Sequence, residues 1–376
     1  MSADFTHLHV HSNYSLLDST IRIDDLVKTA SENKMSALAL TDHGNMFGAL
    51  DFYLYAKKYG LKPIIGCEVY MAAGSRLMRG NNTSGDEEVA PYSSSRSGMN
   101  HLILLVQNEI GYQNLCKLVS SGFLEGFYYK PRIDKDILKE HAEGLIATSS
   151  CLKGEVSNLC LIGDMDRARE AAIFYRDLFQ GQFYLELQQN GVPQQMLVNQ
   201  RFQELSKDLG IPLIATADCH YLKKEEAFAQ EVLLAIQTGR TLEDPSAQNI
   251  VSDEFYFKPQ EVMKEEFSYC PEAIANTMAI AEKCSFEFKF DDEQGKKIYH
   301  FPKFECPNGQ SADEFLISSA KTGLERILKE KEEIEGKPLT PQQRQKYDER
   351  LEKELNVITK MGFTGYFLIV SDFICH

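Results

Sequence analysis

The sequence predicts an α/β fold: a distorted seven-stranded (β/α) barrel followed by a smaller α+β segment. Over residues 1–220, short apolar runs alternate with amphipathic helical patterns. That alternation implies a parallel sheet, and this many strands favour a closed or distorted barrel over an open one. Two helical patterns also stop alike, AKKYGLKPII at Gly60–Pro63 and SKDLGIPLIA at Gly210–Pro212. Glycine suits the left-handed residue after a helix, and proline keeps the helix from resuming.

The expected strands are Phe5–Val10, Ser36–Thr41, Pro63–Met71, His101–Val106, Gly144–Ser149, Gln182–Leu187 and Pro212–Ala217, all short, apolar and often flanked by Gly or Pro. Helical patterns include Asp25–Asn33 and Gln194–Leu209, each with one apolar face. Arg76–Asn100 is polar and rich in Gly and Ser, a surface linker or a lid. After Ile250 the character changes. Glu261–Cys284 reads as helix, Ser285–Phe290 as a strand, and Ala312–Met361 as charged helix interrupted at Gly336–Pro341. The apolar GYFLIVSDFICH is expected to be a buried element, and its abrupt end suggests a piece of a longer protein. The division expected is 1–280 and 281–376.

With 43% hydrophobic residues in 376, the chain can bury a large core. No stretch approaches the ~20 apolar residues of a membrane span, and MSADFTHLHV lacks the basic start of a signal peptide. A cytoplasmic protein without a membrane partner is expected, its nine cysteines reduced. The net charge of −15 makes a poor stand-alone duplex binder.

Candidate ligands gather at the edges of the expected strands. In HLHVH, residues two apart on a strand share a face, so His7 and His9 can converge on one ion, with His11 following on the same side. ALALTDHGN runs an apolar strand into Asp42 and His43, where barrel enzymes place their chemistry; an Asp turn with a surface His is the alternative. Glu68 interrupts the apolar IIGCEVY. It is costly there unless paired or metal-bound, or else it faces outward. In PLIATADCH, Asp218 and His220 share a face at a strand end. His101 opens a strand and Cys151 ends one, although a buried free thiol is the commoner fate of a cysteine. Asp18 reads as a carboxylate ligand or a turn residue. Divalent ions in such a mouth can grip a phosphate and lower the pKa of a bound water, which is phosphoester hydrolysis with no side-chain nucleophile required. No GxSxG elbow, P-loop or GxGxxG offers a rival chemistry.

These residues together resemble the PHP (polymerase and histidinol phosphatase) domain. The resemblance implies a distorted seven-stranded barrel with a trinuclear metal site, its ligands falling on His7, His9, Asp18, His43, Glu68, His101, Cys151, Asp218 and His220. HSNYSLLDS, TDHGNMFGALDFY, GLKPIIGCEVY, EGFYYKPRID and DEFYFKP look more closely like the N-terminal part of the bacterial C-family replicative polymerases, the DNA polymerase III alpha subunits. PEAIANTMAIAEKC and GYFLIVSDFI look like the join to that family's palm, so 281–376 is expected to be the start of the palm, without its catalytic aspartates. The resemblance implies zinc or other divalent ions, with three expected and manganese or iron as alternatives. Implied partners are primer-template DNA through the full-length polymerase and other replicase subunits, such as the sliding clamp and a proofreading subunit. Three functions compete: a metal-dependent 3′→5′ proofreading exonuclease, a structural metal site that braces the polymerase core and binds partner subunits, and a stand-alone phosphatase. Residues 250–376 argue against the last.

Overall fold

The computed structural model describes residues 5–79, 99–243, 252–291, 295, 298 and 302–375. Most of the expected Arg76–Asn100 loop lies outside them. The chain divides into two units, Met1–Glu287 and Phe288–His376.

The first unit carries β1 (Ala37–Leu40), β2 (Lys62–Ala72), β3 (Met99–Val106), β4 (Arg132–Ile133), β5 (Leu145–Thr148), β6 (Phe183–Gln188) and β7 (Leu213–Thr216). The hydrogen-bonded order is β1-β2-β3-β5-β6-β7, with the short β4 beside β2. Gly60 and Gly210, the two expected helix stops, both have positive φ.

The expected first strand, Phe5–Val10, is extended but irregular. On one side Ala39 N–H donates to His7 O and Thr41 N–H to Val10 O; on the other, Cys219 N–H donates to His9 O and His11 N–H to Cys219 O. The segment therefore lies between β1 and the chain beyond β7 and curls the sheet back toward itself. The β1 side steps two residues, from Ala39 to Thr41, while this segment steps three, from His7 to Val10. That extra residue is a bulge, and it shifts which side chains face inward.

The sequence suggested a parallel sheet, but the sheet is mixed. β3 runs antiparallel to both β2 and β5, while β1–β2, β5–β6 and β6–β7 are parallel. Residues 73–98 have none of the amphipathic pattern that a helical crossover between parallel strands needs. The reversal puts the start of β3 at the same end of the sheet as the finish of its parallel neighbours.

Cross-strand partners face the same side. On β2 and β3 these are Gly66 with Leu105, Glu68 with Ile103, and Tyr70 with His101. The inner stripe thus changes from apolar to polar along the strand. At the apolar end, Leu8, Ile64, Ile103, Leu105, Ile146 and Ile214 pack with Ile280 and Cys284 at the end of helix Pro271–Lys283. Burial of each such aliphatic side chain contributes about 1.5–3 kcal/mol. The other end is left to polar residues.

Ser285–Phe290, expected as a strand, joins no ladder among the described residues. The second unit holds helices Ala312–Glu335, Pro341–Lys360 and Thr364–Cys375, the first two begun by capping boxes at Ser311–Glu314 and Thr340–Gln343. The apolar run near the end is the last of these helices. Contrary to expectation it is largely exposed, with Phe373 at 83%. All nine cysteines are free.

Gly66 gives a test of the inner stripe. A Cβ there would stand 2.8 Å from both Leu104 O and Leu105 Cδ2. Gly66→Ala should lower stability by about 1–3 kcal/mol through overpacking, measured as a lower urea midpoint. An unchanged midpoint would show slack in the inner face.

Candidate metal centre

The polar end of the curl collects side chains from six places in the sequence. Glu68 is its centre, fully buried. One carboxylate oxygen lies 3.0 Å from His101 Nδ1, 3.7 Å from His9 Nε2 and 3.8 Å from Cys151 Sγ, and accepts from Ser150 Oγ. The other lies 2.7 Å from His43 Nδ1 and 3.4 Å from His11 Nε2. Asp218 Oδ1 stands 3.0 Å from His9 Nε2, 3.4 Å from His11 Nε2 and 3.5 Å from His220 Nδ1. Asp18 approaches His43 Nε2 at 3.0 Å and His220 Nε2 at 3.8 Å. Three overlapping groups have the spacing of a metal site: His11–His43–His220, His9–His11–Asp218 and His43–Glu68–His101.

The fold explains each arrival. His43 and Glu68 are bridged where β1 ends and the longer β2 continues. The antiparallel β3 delivers His101, which from the sequence fitted poorly because it opens its strand. Ser150 and Asp218, just beyond β5 and β7, have φ of 59° and 52°. Non-glycine residues so placed cost about 1–3 kcal/mol and gather at functional sites.

One expected residue is not in the group. His7 lies on the other side of the bulge. Its Nε2 is 2.8 Å from Lys258 O, its Nδ1 is 3.6 Å from Cys219 Sγ, and its ring packs on Phe257. His11 stands in the pocket instead. The regular period-2 reading of HLHVH failed because the segment is bulged.

A further residue, Glu186, was missed. It stands behind His9, at 2.9 Å from His9 Nδ1, and accepts from Thr148 Oγ1, from Thr216 Oγ1 at 2.8 Å and from Gln188 Nε2 at 3.2 Å. Its signal was available: Glu186 interrupts FYLELQ as Glu68 interrupts IIGCEVY. Similar supports act elsewhere. His11 Nδ1 is 3.0 Å from Ser15 Oγ, which donates to Asp42 at 2.7 Å; Asp42 also holds Ser12 through its backbone N–H and hydroxyl. His220 Nδ1 is 2.8 Å from the Asp218 carbonyl. With Nδ1–H donated outward, His9, His11 and His220 turn Nε2 inward, the arrangement by which outer groups orient metal-binding imidazoles.

Electrostatics show what the pocket lacks. Burial works against the charge on Glu68, yet His101, His43 and His9 hold its pKa well below the usual range. Burial also opposes the charge on Asp218, which His9 and His220 nevertheless stabilise, again to well below the usual pKa. Burial would neutralise His43, but Glu68 and Asp18 push its pKa up to about 9. His11 goes the other way, down to about 3, because burial is joined by repulsion from His43 and His220. Burial raises the pKa of the Cys151 thiol. Neighbouring imidazoles are thus driven in opposite directions around shared carboxylates.

Geometry tests whether cations fit. Glu68 Oε2, Asp218 Oδ1 and His43 Nδ1 are buried without a well-aligned hydrogen bond, although Glu68 Oε2 lies 2.7 Å from His43 Nδ1 and Asp218 Oδ1 lies 3.0 Å from His9 Nε2. They are close but not aligned as donor and acceptor. Buried polar atoms are rarely left so, and mixed N and O donors converging in this way suit divalent ions.

Comparison with known proteins gives the lineage. Residues 7–190 match the PHP domain and residues 314–376 the bacterial DNA polymerase III alpha NTPase domain. The DNA polymerase III subunit alpha of Borreliella burgdorferi is 44% identical over 370 residues, covering 98% of this chain and 30% of that protein. That of Aquifex aeolicus is 40% identical over 380 residues, covering 100% and 31%, and that of Treponema pallidum 42% over 373, covering 98% and 29%. The chain therefore spans about a third of the length of these relatives. Among solved structures, a two-domain protein from Bacteroides vulgatus, described as containing a predicted PHP-like metal-dependent phosphoesterase, is 14% identical over 57% of this chain and 52% of its own, with a TM-score of 0.34; so slight an overlap adds nothing to the sequence match. Aligned over nearly its whole length, with both domain signatures present in order, the chain belongs to the bacterial DNA polymerase III alpha-subunit family and carries that family's PHP domain.

Proposed function

We propose that the pocket binds divalent cations, three in number, and hydrolyses phosphodiester bonds at the 3′ end of a DNA strand, as a proofreading exonuclease attached to a polymerase. The observation that carries this reading is the convergence of buried imidazoles and carboxylates into three overlapping groups with metal-site spacing, His11–His43–His220, His9–His11–Asp218 and His43–Glu68–His101. Its ligands would be His9, His11, Asp18, His43, Glu68, His101, Cys151, Asp218 and His220, with His11 taking the place first given to His7. Zinc suits this donor set, and manganese or iron remain alternatives. Bound ions supply Lewis acidity, neutralising phosphate charge and lowering the pKa of water. The chain supplies the rest. Glu186, the Ser15–Asp42 pair and the Asp218 carbonyl fix the imidazoles, while Glu68 and Asp218 each serve more than one group. As part of an alpha subunit, the chain would act in the cytoplasm beside a polymerase working on primer-template DNA, with the clamp and a proofreading subunit as further partners.

A structural role for the same ions has its own support. Glu68 alone touches residues from the N-terminal segment, the β1 end, β3 and the β5 end. Cations there would tie the curl shut, and binding would be linked to folding. Chelation that lowers the melting temperature while the intact protein shows no hydrolysis of a mispaired primer would favour this reading.

Elemental analysis of the purified chain should find about three divalent ions per chain; a value near zero would refute the centre. On a mispaired primer, Asp218→Asn should reduce hydrolysis by more than the ~10–100-fold typical of losing a group behind a ligand. Equal rates would rule out the exonuclease. Glu186→Gln should fall within that ~10–100-fold range in metal affinity, measured by competition with a chromogenic chelator. His11→Ala should lose metal, while His7→Ala should keep its metal count and lose only stability. The reverse result would restore the regular-strand reading.

A further inference from the structure

Beside the pocket is an aromatic surface that the hydrolytic reading does not use. Phe47, four residues beyond His43, is 62% exposed. Its ring lies 6.0 Å from that of Phe123, which lies 6.2 Å from that of Phe127. Tyr129 follows, 70% exposed and held at φ 60°. Large aromatic side chains in solvent, grouped ring to ring, mark a binding surface rather than scattered exposure.

This surface is joined to the pocket. Tyr70 stacks on His43 at 5.9 Å and meets His101 edge-on at 5.1 Å. Lys130 Nζ sits 5.6 Å over the Tyr70 ring. Pro131 and Tyr70 press so closely on Gly44 that a Cβ there would stand 2.9 Å from each. The Phe127–Pro131 segment is thus wedged against the residue next to His43. Lys153 is exposed, and its backbone carbonyl accepts from His101 N–H at 2.9 Å, which sets it beside the pocket. The nearby acids are already engaged, since Arg76 pairs with both Glu125 and Asp134.

Exposed aromatic rings with flanking cations are how single-stranded nucleic acid is held without sequence preference. A duplex hides its base faces, and a chain of net charge −15 repels its phosphates. Unpaired bases offer their faces to the rings and only a few phosphates to the lysines. We propose that Phe47, Phe123, Phe127 and Tyr129 form a platform for the unpaired bases of a nucleic-acid strand end, whose phosphates pass Lys130 and Lys153 on the way to the histidine–carboxylate pocket. The purpose of the platform rests on the hydrolytic reading, but its binding does not depend on turnover.

The test is fluorescence anisotropy on the whole chain. The probe is a fluorescein-labelled, phosphorothioate-linked oligothymidylate of about 10 nucleotides, which resists hydrolysis and matches the usual site size. Phe127→Ala should weaken binding by about tenfold or more, the scale of one lost stacking contact. Phe127→Trp should bind at least as well as the parent chain. Phe127→Leu keeps apolar bulk but no ring, and should lose affinity as Ala does; it carries the test if Phe127→Ala melts early. Lys130→Gln should reduce the salt dependence by about one phosphate contact. The proposal fails if the parent chain does not bind the probe, if a duplex of equal length binds as well, or if Phe127→Leu matches the parent, as a protein-docking surface would allow. Retained ring-dependent binding without any primer hydrolysis would instead refute the exonuclease and leave the platform standing.

Discussion

One buried carboxylate sets the terms for the polar half of the barrel. Glu68 is fully out of water, and four imidazoles and a thiol lie within 4 Å of its oxygens. A buried carboxylate persists only with compensating charge or hydrogen bonds. Here the compensation is incomplete. The pKa of His43 is pushed up and that of the neighbouring His11 down, although both approach the same Glu68 oxygen, which forms no aligned hydrogen bond. The surrounding structure nonetheless fixes several of these groups, through Ser150 on the Glu68 carboxylate and through hydrogen bonds donated by Nδ1 of His9, His11 and His220. Such organisation around an unmet charge is what a cation site demands of its protein.

The division of the curl into two ends makes this affordable. Helix Pro271–Lys283 and the aliphatic stripe fill one end, so stability does not rest on the polar pocket alone. The reversed β3 supplies Ile103 and Leu105 to the apolar end and His101 to the polar one. A single strand thus serves both halves, and overpacking at Gly66 would press on Leu105 of the same stripe.

How much of this was legible in the sequence depends on the kind of information. The fold class, most strands and the PHP and alpha-subunit likeness could be read because they rest on local composition and on motifs that travel together. Candidates at the ends of regular strands, such as His43 and Asp218, were placed together from the strand-end rule alone. The errors came where local periodicity does not carry the answer. One extra residue between His7 and Val10 exchanges His7 for His11, and no propensity marks it, since the bulge is defined by what β1 and the chain beyond β7 pair with. The direction of β3 was hidden because it depends on a connection rather than on the strand itself. Glu186 was legible by the same signal as Glu68, an acid set in an apolar run, here FYLELQ.

The acidic charge and the proposed hydrolysis are compatible once charge is assigned to places rather than to the chain. The net charge of −15 belongs to the chain as a whole, and it discourages nonspecific attachment to duplex DNA. Inside the pocket, bound cations would reverse the local sign that a phosphate meets. At the rim, attraction would come from aromatic faces, with Lys130 over the Tyr70 ring and Lys153 beside His101. A strand with paired bases gains little from such a rim, whereas one with frayed bases gains stacking and then reaches the buried donors. Selectivity for an unpaired end would therefore follow from the order in which these surfaces are met, without any contact that reads a base.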